Sequence, residues 1–210
     1  DPVLSSHAAP LPVAVPAFPG TRIYGPHDIP PVDILVISHD HWDHLDYHTL
    51  TALLPKIGQV VCGLGVDFHL RRFGFAGESI RAGDWWDGFS LGPVHVTLTP
   101  GRHFSGRLFT QNHTLWTGVV LRGGGRAVYF SGDAADLIPS VRDAFLQGEI
   151  RRIYHDTASH ESAAHCWFKR LEDAIPPEKR KDVWCMHLDC DCEAQLKALG
   201  FSVVQPIREA

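Results

Sequence analysis

Six consecutive residues, His39-Asp40-His41-Trp42-Asp43-His44, carry three imidazoles and two carboxylates directly after a short apolar run, Ile34-Leu35-Val36-Ile37. Imidazole nitrogen and carboxylate oxygen are the donors that zinc and related divalent metals take from a protein. In a tight turn, side chains one residue apart can converge on one ion, while Asp43 and His44 turn toward a second. Drawing three of four ligands from one loop would overcrowd a single ion, so two metals account for the density better than one. So many polar groups beside an apolar strand are costly unless something satisfies them, and that favours metal.

Other candidates stand at matching places. His103 follows the alternating run 94–99 after Pro100-Gly101, Asp133 follows Val128-Tyr129-Phe130-Ser131-Gly132, and His187 follows Val183-Trp184-Cys185-Met186. In α/β sheets, sites gather at the carboxyl ends of strands. Taken singly, His187 reads more readily as a capping or surface residue, and Asp133 as part of a Gly-Asp turn. The repetition carries the weight. His155 and Asp156 end another strand-like run, where they could orient a metal-bound imidazole. His165 is placed early in an expected helix, with a helix-surface histidine as the equal alternative. Cys190 and Cys192 are too few for a structural zinc site and read as loop thiols. Trp42, Trp85, Trp86 and Trp116 suit either a groove or the core.

The elements that must position these residues alternate. Strands are expected at 34–37, 59–62, 150–154, 183–186 and 202–204, with a β-rich stretch over 94–131 that turns at Gly123-Gly124-Gly125. Helices are expected at 44–55, 66–73, 136–147, 161–175 and 192–199. Residues 1–31 hold eight prolines, among them Pro10, Pro12, Pro16 and Pro19. Proline lacks the N–H and fixes φ, so this segment reads as an extended arm covering the domain, its apolar part from Val13 to Phe18 packing over the sheet or touching a membrane surface. The alternation gives one layered α/β domain over 1–210.

Composition narrows the partners. With 19 Lys and Arg against 24 Asp and Glu, the net charge of −5 comes without a basic run, which argues against nucleic acid. No apolar run reaches the roughly 18 residues of a membrane span. Five cysteines, an odd number, fit a reducing cytoplasm, although a targeting segment could precede Asp1. Oligomeric state is left open.

The segment His39-Asp40-His41-Trp42-Asp43-His44 resembles the HxHxDH motif of the metallo-β-lactamase superfamily. The similarity runs from Asp1 to about His187. It is closest to the branch of N-acylphosphatidylethanolamine-hydrolysing phospholipase D, through Asp1-Pro2-Val3-Leu4-Ser5, His103-Phe104-Ser105-Gly106-Arg107, Thr114-Leu115-Trp116 and Tyr129-Phe130-Ser131-Gly132-Asp133. The resemblance implies an α/β (α+β layered) αββα sandwich, here without the first strands that relatives place before the Asp-Pro. It implies two divalent ions, Zn²⁺ or else Mn²⁺ or Fe²⁺. His39, His41 and His103 would hold one, Asp43, His44 and His187 the other, and Asp133 would bridge them. Asp43 and His165 would be catalytic, and a water or hydroxide between the metals would attack a phosphodiester of a small or lipid-like substrate. A lactonase of the ascorbate-6-phosphate type is the alternative, and a non-catalytic metal-binding module the second. Ala134-Ala135 stands where relatives carry Thr-Gly, which reshapes the loop after Asp133.

Overall fold

The computed structural model describes residues 1–8, 15–107, 109–188 and 192–204. Pro10, Pro12, Val13 and Cys190 lie outside the described residues. The chain forms two compact units. Asp1–Asp84 and Ser105–Leu115 build the first, and Trp85–Phe104 with Trp116–Gln205 the second.

The first unit is a parallel three-stranded sheet in the order β1-β2-β3, from Val32–Ile37, Ile57–Gly63 and Ile80–Gly83. Apolar residues of β1 and β2 pair in register, Leu35 opposite Val60 and Ile37 opposite Cys62. Helices α1 (Tyr47–Leu53) and α2 (Val66–Arg72) close one core around Ile37, Leu50, Val60, Val66 and Leu70. Each fully buried aliphatic side chain there contributes about 1.5–3 kcal/mol. Helix α1 begins three residues later than its apolar pattern suggests. The N–H groups of His44 and Leu45 both bond the His41 carbonyl, folding that stretch into a turn. Asp46 then caps the helix, accepting the Thr49 N–H at 2.9 Å. A 3-10 turn containing Pro55 replaces the last helical turn. No helix or strand is found between residues 15 and 31. That stretch is fastened by Lys56, whose Nζ donates to the carbonyls of Pro26, His27 and Ile29 at 2.6–3.0 Å.

The second unit is built on a mixed seven-stranded sheet. With β4 as Gly88–Leu91, β5 as Val94–Thr99, β8 as Gly118–Gly123, β9 as Arg126–Phe130, β10 as Arg152–Asp156, β11 as Val183–Met186 and β12 as Ser202–Val203, its order is β12-β11-β10-β9-β8-β5-β4. The numbers β6 and β7 belong to a short hairpin of the first unit, Gly106–Arg107 against Thr110–Gln111. Strands β9 to β12 are parallel and β4, β5, β8 and β9 antiparallel. The Gly-rich turn joins β8 to β9, with Gly124 and Gly125 both at positive φ (57° and 72°), the geometry that matches strand twist in a two-residue hairpin. Helices α3 (Pro139–Leu146), α4 (Phe168–Ala174) and α5 (Glu193–Ala198) alternate with the parallel strands and bury a second core around Tyr129, Phe145, Ile153, Leu171 and Leu196. Helix α4 starts at Phe168 rather than near 161. Ala158 and Cys166 are joined by an N–H to carbonyl bond of 2.7 Å, and Phe168 returns one to Ala158 at 3.0 Å, so the residues between them close into a loop. Strands β3 and β4 were not expected. They are short and glycine-flanked, and too brief to show a period. Among the described residues no helix is long and apolar enough to cross a membrane.

Strand β2 ends on a close approach, since a Cβ on Gly63 would lie 2.5 Å from the Leu115 carbonyl oxygen. Gly63→Ala must push the 105–115 segment off the strand. The expected outcome is a loss of about 2 kcal/mol or more, seen as a melting temperature several degrees lower by circular dichroism.

Candidate metal centre

In the first unit the ligand loop follows β1 without a break. Ser38, His39, Asp40 and His44 are all buried there. His39 Nδ1 lies 2.9 Å from the Ser38 hydroxyl, which leaves Nε2 to point at His41 Nδ1, 2.8 Å away. Two ring nitrogens so close must share a proton or a cation. The Asp1 carboxylate accepts the Ser38 N–H and hydroxyl, both at 2.6 Å, and also takes His44 Nδ1 at 3.1 Å. This commits the other nitrogen of His44 toward Asp43, whose carboxylate oxygen is 3.8 Å from it. Asp40 does not join this set. Its carboxylate accepts the Gly106 N–H at 2.7 Å and faces His69 Nε2 at 3.7 Å.

In the second unit four strand ends deliver one cluster. His103 donates its Nδ1 hydrogen to the Ala164 carbonyl at 3.0 Å and turns Nε2 to the Asp133 carboxylate, 3.7 Å away. His165 Nδ1 and His187 Nε2 each stand 3.9 Å from the same Asp133 oxygen. Behind them Asp156, fully buried, accepts from His165 Nδ1 at 2.9 Å and faces His187 Nδ1 at 3.5 Å. The His165 and His187 rings stack with centroids 5.2 Å apart. Asp133, Asp156, His165 and His187 offer donor atoms all within 4.8 Å of one another. Separations of 3.7–3.9 Å are too long for direct hydrogen bonds. They are slightly wider than the roughly 3.4 Å between two donors of a tetrahedral zinc with bonds near 2.1 Å. The donor chemistry of this cluster therefore fits a divalent cation.

Local backbone supports this aim. His187 sits at φ 56°, a left-handed conformation that few non-glycine residues adopt and that strain-bearing functional residues do. The loop carrying Ala164 and His165 is tied down by Arg170, which bonds both Glu161 at 2.9 Å and Asp136, while Arg102 grips Asp136 at 2.5 and 3.2 Å. The bond to Asp156, working against partial burial, raises the His165 pKa above the ordinary histidine value.

Several expectations need correcting. His165 lies in the closed loop before α4, not on the helix. Of the pair ending β10, Asp156 alone turns to the cluster. Successive strand residues alternate faces, and His155 is buried with Nδ1 on the Asp156 carbonyl at 2.7 Å. Cys192, expected as a loop thiol, is buried where helix α5 begins. Cys62 and Cys185 are pushed up to about 12 by burial, and so stay protonated and inert. Asp1 was not assigned to the site from sequence, whereas Asp156 was read there as able to orient a metal-bound imidazole. The signals were present, since Asp1 belongs to the Asp-Pro mark and Asp156 ends a strand. Trp42 lines a groove of about 530 Å³ in the first unit, together with Tyr47, Phe68, Phe73, Arg72 and Arg107. Trp85 and Trp116 are structural. Trp85 Nε1 donates to the Trp116 carbonyl and Trp116 Nε1 to that of Gly101, both at 2.7 Å, which steadies the segment leading to His103.

A family model described as the beta-lactamase superfamily domain matches residues 1–159. The chain belongs to the beta-lactamase superfamily. An uncharacterized Mycobacterium tuberculosis protein is 38% identical over 138 residues, covering 63% of this chain and 36% of the relative. N-acyl-phosphatidylethanolamine-hydrolyzing phospholipase D 1 of Caenorhabditis elegans is 31% identical over 149 residues, covering 63% of this chain and 40% of the relative. This chain thus spans well under half the length of these curated relatives. Among solved structures, CmlA, a diiron beta-hydroxylase from Streptomyces venezuelae, superposes with a TM-score of 0.58 at 20% identity, over 84% of this chain and 44% of that one. The fold is that of the metallo-β-lactamases.

Asp156 fixes two imidazoles at once, and carboxylates behind metal-bound histidines typically account for 10–100-fold in affinity. Asp156→Asn should weaken zinc binding within that range while leaving secondary structure intact, as read by competition with a chromogenic chelator.

Proposed function

We propose that the chain is the metal-binding part of a dinuclear hydrolase that cleaves a phosphodiester. His39, His41 and His103 are assigned to one ion, Asp43, His44 and His187 to the other, and Asp133 to both. The observation that carries this reading is the commitment of one nitrogen on four of the imidazoles. His39, His44, His103 and His165 each have one ring nitrogen bonded to a hydroxyl, carboxylate or carbonyl. Tying off one nitrogen selects the tautomer and aims the other at a ligand. The HxHxDH spacing and the identity to the C. elegans phospholipase D support the same assignment.

Bound divalent ions supply Lewis acidity and lower the pKa of coordinated water toward neutrality. The chain supplies geometry. Asp1 and Asp156 hold His44, His165 and His187 in place. Asp43, half-exposed, reaches the open side of its loop, and His165, on a pinned loop, is assigned to contact the substrate. The groove beside Trp42 is assigned to the substrate's apolar part. Tyr47 and Phe68 are exposed in it, and Arg72 stands over the Phe68 ring, able to meet an anionic group. Two irons and oxygen-dependent hydroxylation form a second reading, favoured by the diiron β-hydroxylase of the same fold.

Metal content, bis(p-nitrophenyl) phosphate cleavage and a lactone panel separate these readings. The expected result is about two divalent ions per chain and metal-dependent diesterase activity that falls at least ~100-fold in His41→Ala. Lactone turnover without diesterase activity would move the assignment to a lactonase, and two irons with oxygen uptake to a hydroxylase. Arg72→Glu should raise KM several-fold for a long-chain anionic phosphodiester at unchanged kcat, the pattern of lost uniform binding.

A further inference from the structure

The ligand loop of the first unit is held from outside by one side chain. Hairpin β6–β7 presents Arg107, whose Nε donates to the Asp40 carbonyl at 2.6 Å and whose Nη2 donates to the Leu45 carbonyl. Its guanidinium also lies over the Trp42 ring, 4.1 Å from the centroid. One planar cation therefore touches the start, the middle and the end of the segment that contains His41, Asp43 and His44. A second bond fixes the hairpin itself, from the Gly106 N–H to the Asp40 carboxylate at 2.7 Å. Gly106 is at φ 152°, and a Cβ there would overlap the Thr110 carbonyl, so only glycine brings that N–H so close.

The geometry points to Arg107 as a positioning residue for the loop ligands: by bridging the carbonyls of residues 40 and 45 it fixes the spacing at which His41, Asp43 and His44 present their donor atoms. This rests on the metal-binding reading above. The turn's own bonds, from the N–H groups of His44 and Leu45 to the His41 carbonyl, close the stretch from 41 to 45 but do not reach the Asp40 carbonyl at its start. Without the fork, the two end carbonyls lose their partner and the loop samples wider spacings. Every one of these contacts lies in the first unit.

A lysine cannot replace the fork. It has the charge but not the planar pair of donors that reach two carbonyls at once. A small guanidinium compound in solution can. The test compares wild type, Arg107→Ala and Arg107→Lys by zinc competition with a chelator, each also melted in EDTA. We expect Arg107→Ala to bind zinc about tenfold or more weakly and Arg107→Lys to fall between it and wild type. Millimolar methylguanidinium should restore affinity to Arg107→Ala and leave wild type unchanged. Should Arg107→Ala fail to fold, Arg107→Lys carries the comparison, and wild-type affinity in that variant overturns the proposal. Wild-type affinity in Arg107→Ala, or weakened binding that methylguanidinium does not rescue, also overturns it. Wild type binding no metal at all overturns the metal reading instead, and this proposal with it.

Discussion

A buried imidazole has two nitrogens to satisfy, and the architecture of this chain follows from how one of each pair is spent. Ser38 takes one on His39, Asp1 one on His44, the Ala164 carbonyl one on His103, and Asp156 one on His165. An unsatisfied buried polar atom costs on the order of 1–3 kcal/mol. A ring fixed on one side cannot turn its other side away without incurring that cost again. Orientation is thus enforced by hydrogen-bond accounting rather than by packing alone.

The supporting elements serve that arrangement at different distances. Strand β1 delivers its loop from a core in which Ile37 and Cys62 are wholly buried, so the base of the loop cannot slide. In the second unit, Asp133, Asp156 and His187 follow or end the neighbouring parallel strands β9, β10 and β11. Parallel neighbours end at the same edge of a sheet, and their following residues gather there without any helix having to reach across. The loop bearing His165 lacks such a strand. It is held instead by the Arg102, Asp136, Arg170 and Glu161 ion pairs, whose exposure makes them weak singly, so the closing bonds between Ala158, Cys166 and Phe168 matter more.

Much of this was legible in the sequence because strand ends are marked by composition. Runs such as Val128-Tyr129-Phe130 and Val183-Trp184-Cys185-Met186 give way to polar residues where the strands end, and Asp133 and His187 lie just past those ends. What stayed hidden depends on contacts that no period reveals. Asp1 meets Ser38 and His44 across more than thirty residues of loop and strand. Asp40, inside the densest part of the motif, looks like a ligand by type but spends its carboxylate on the Gly106 N–H. Helical propensity over 161–175 misled for a similar reason. Ser162 Oγ accepts the N–H groups of Ala164 and His165 at 3.0 and 3.2 Å, a local bond that competes with helix.

Charge gives the last constraint on what the second unit can hold. Asp133 and Asp156 are both buried, with side chains at most 4% exposed, and imidazoles of His103, His165 and His187 stand around them. Buried carboxylates call for positive charge nearby, because an ion in a low-dielectric setting is expensive. Protonating two rings would balance them, yet it would turn their remaining nitrogens into donors and remove them as ligands. A divalent cation brings positive charge to the carboxylates and leaves the ring nitrogens not already spent as hydrogen donors free to offer an electron pair. The bond to Asp156 raises the His165 pKa, the sense in which a buried carboxylate draws positive charge toward this point.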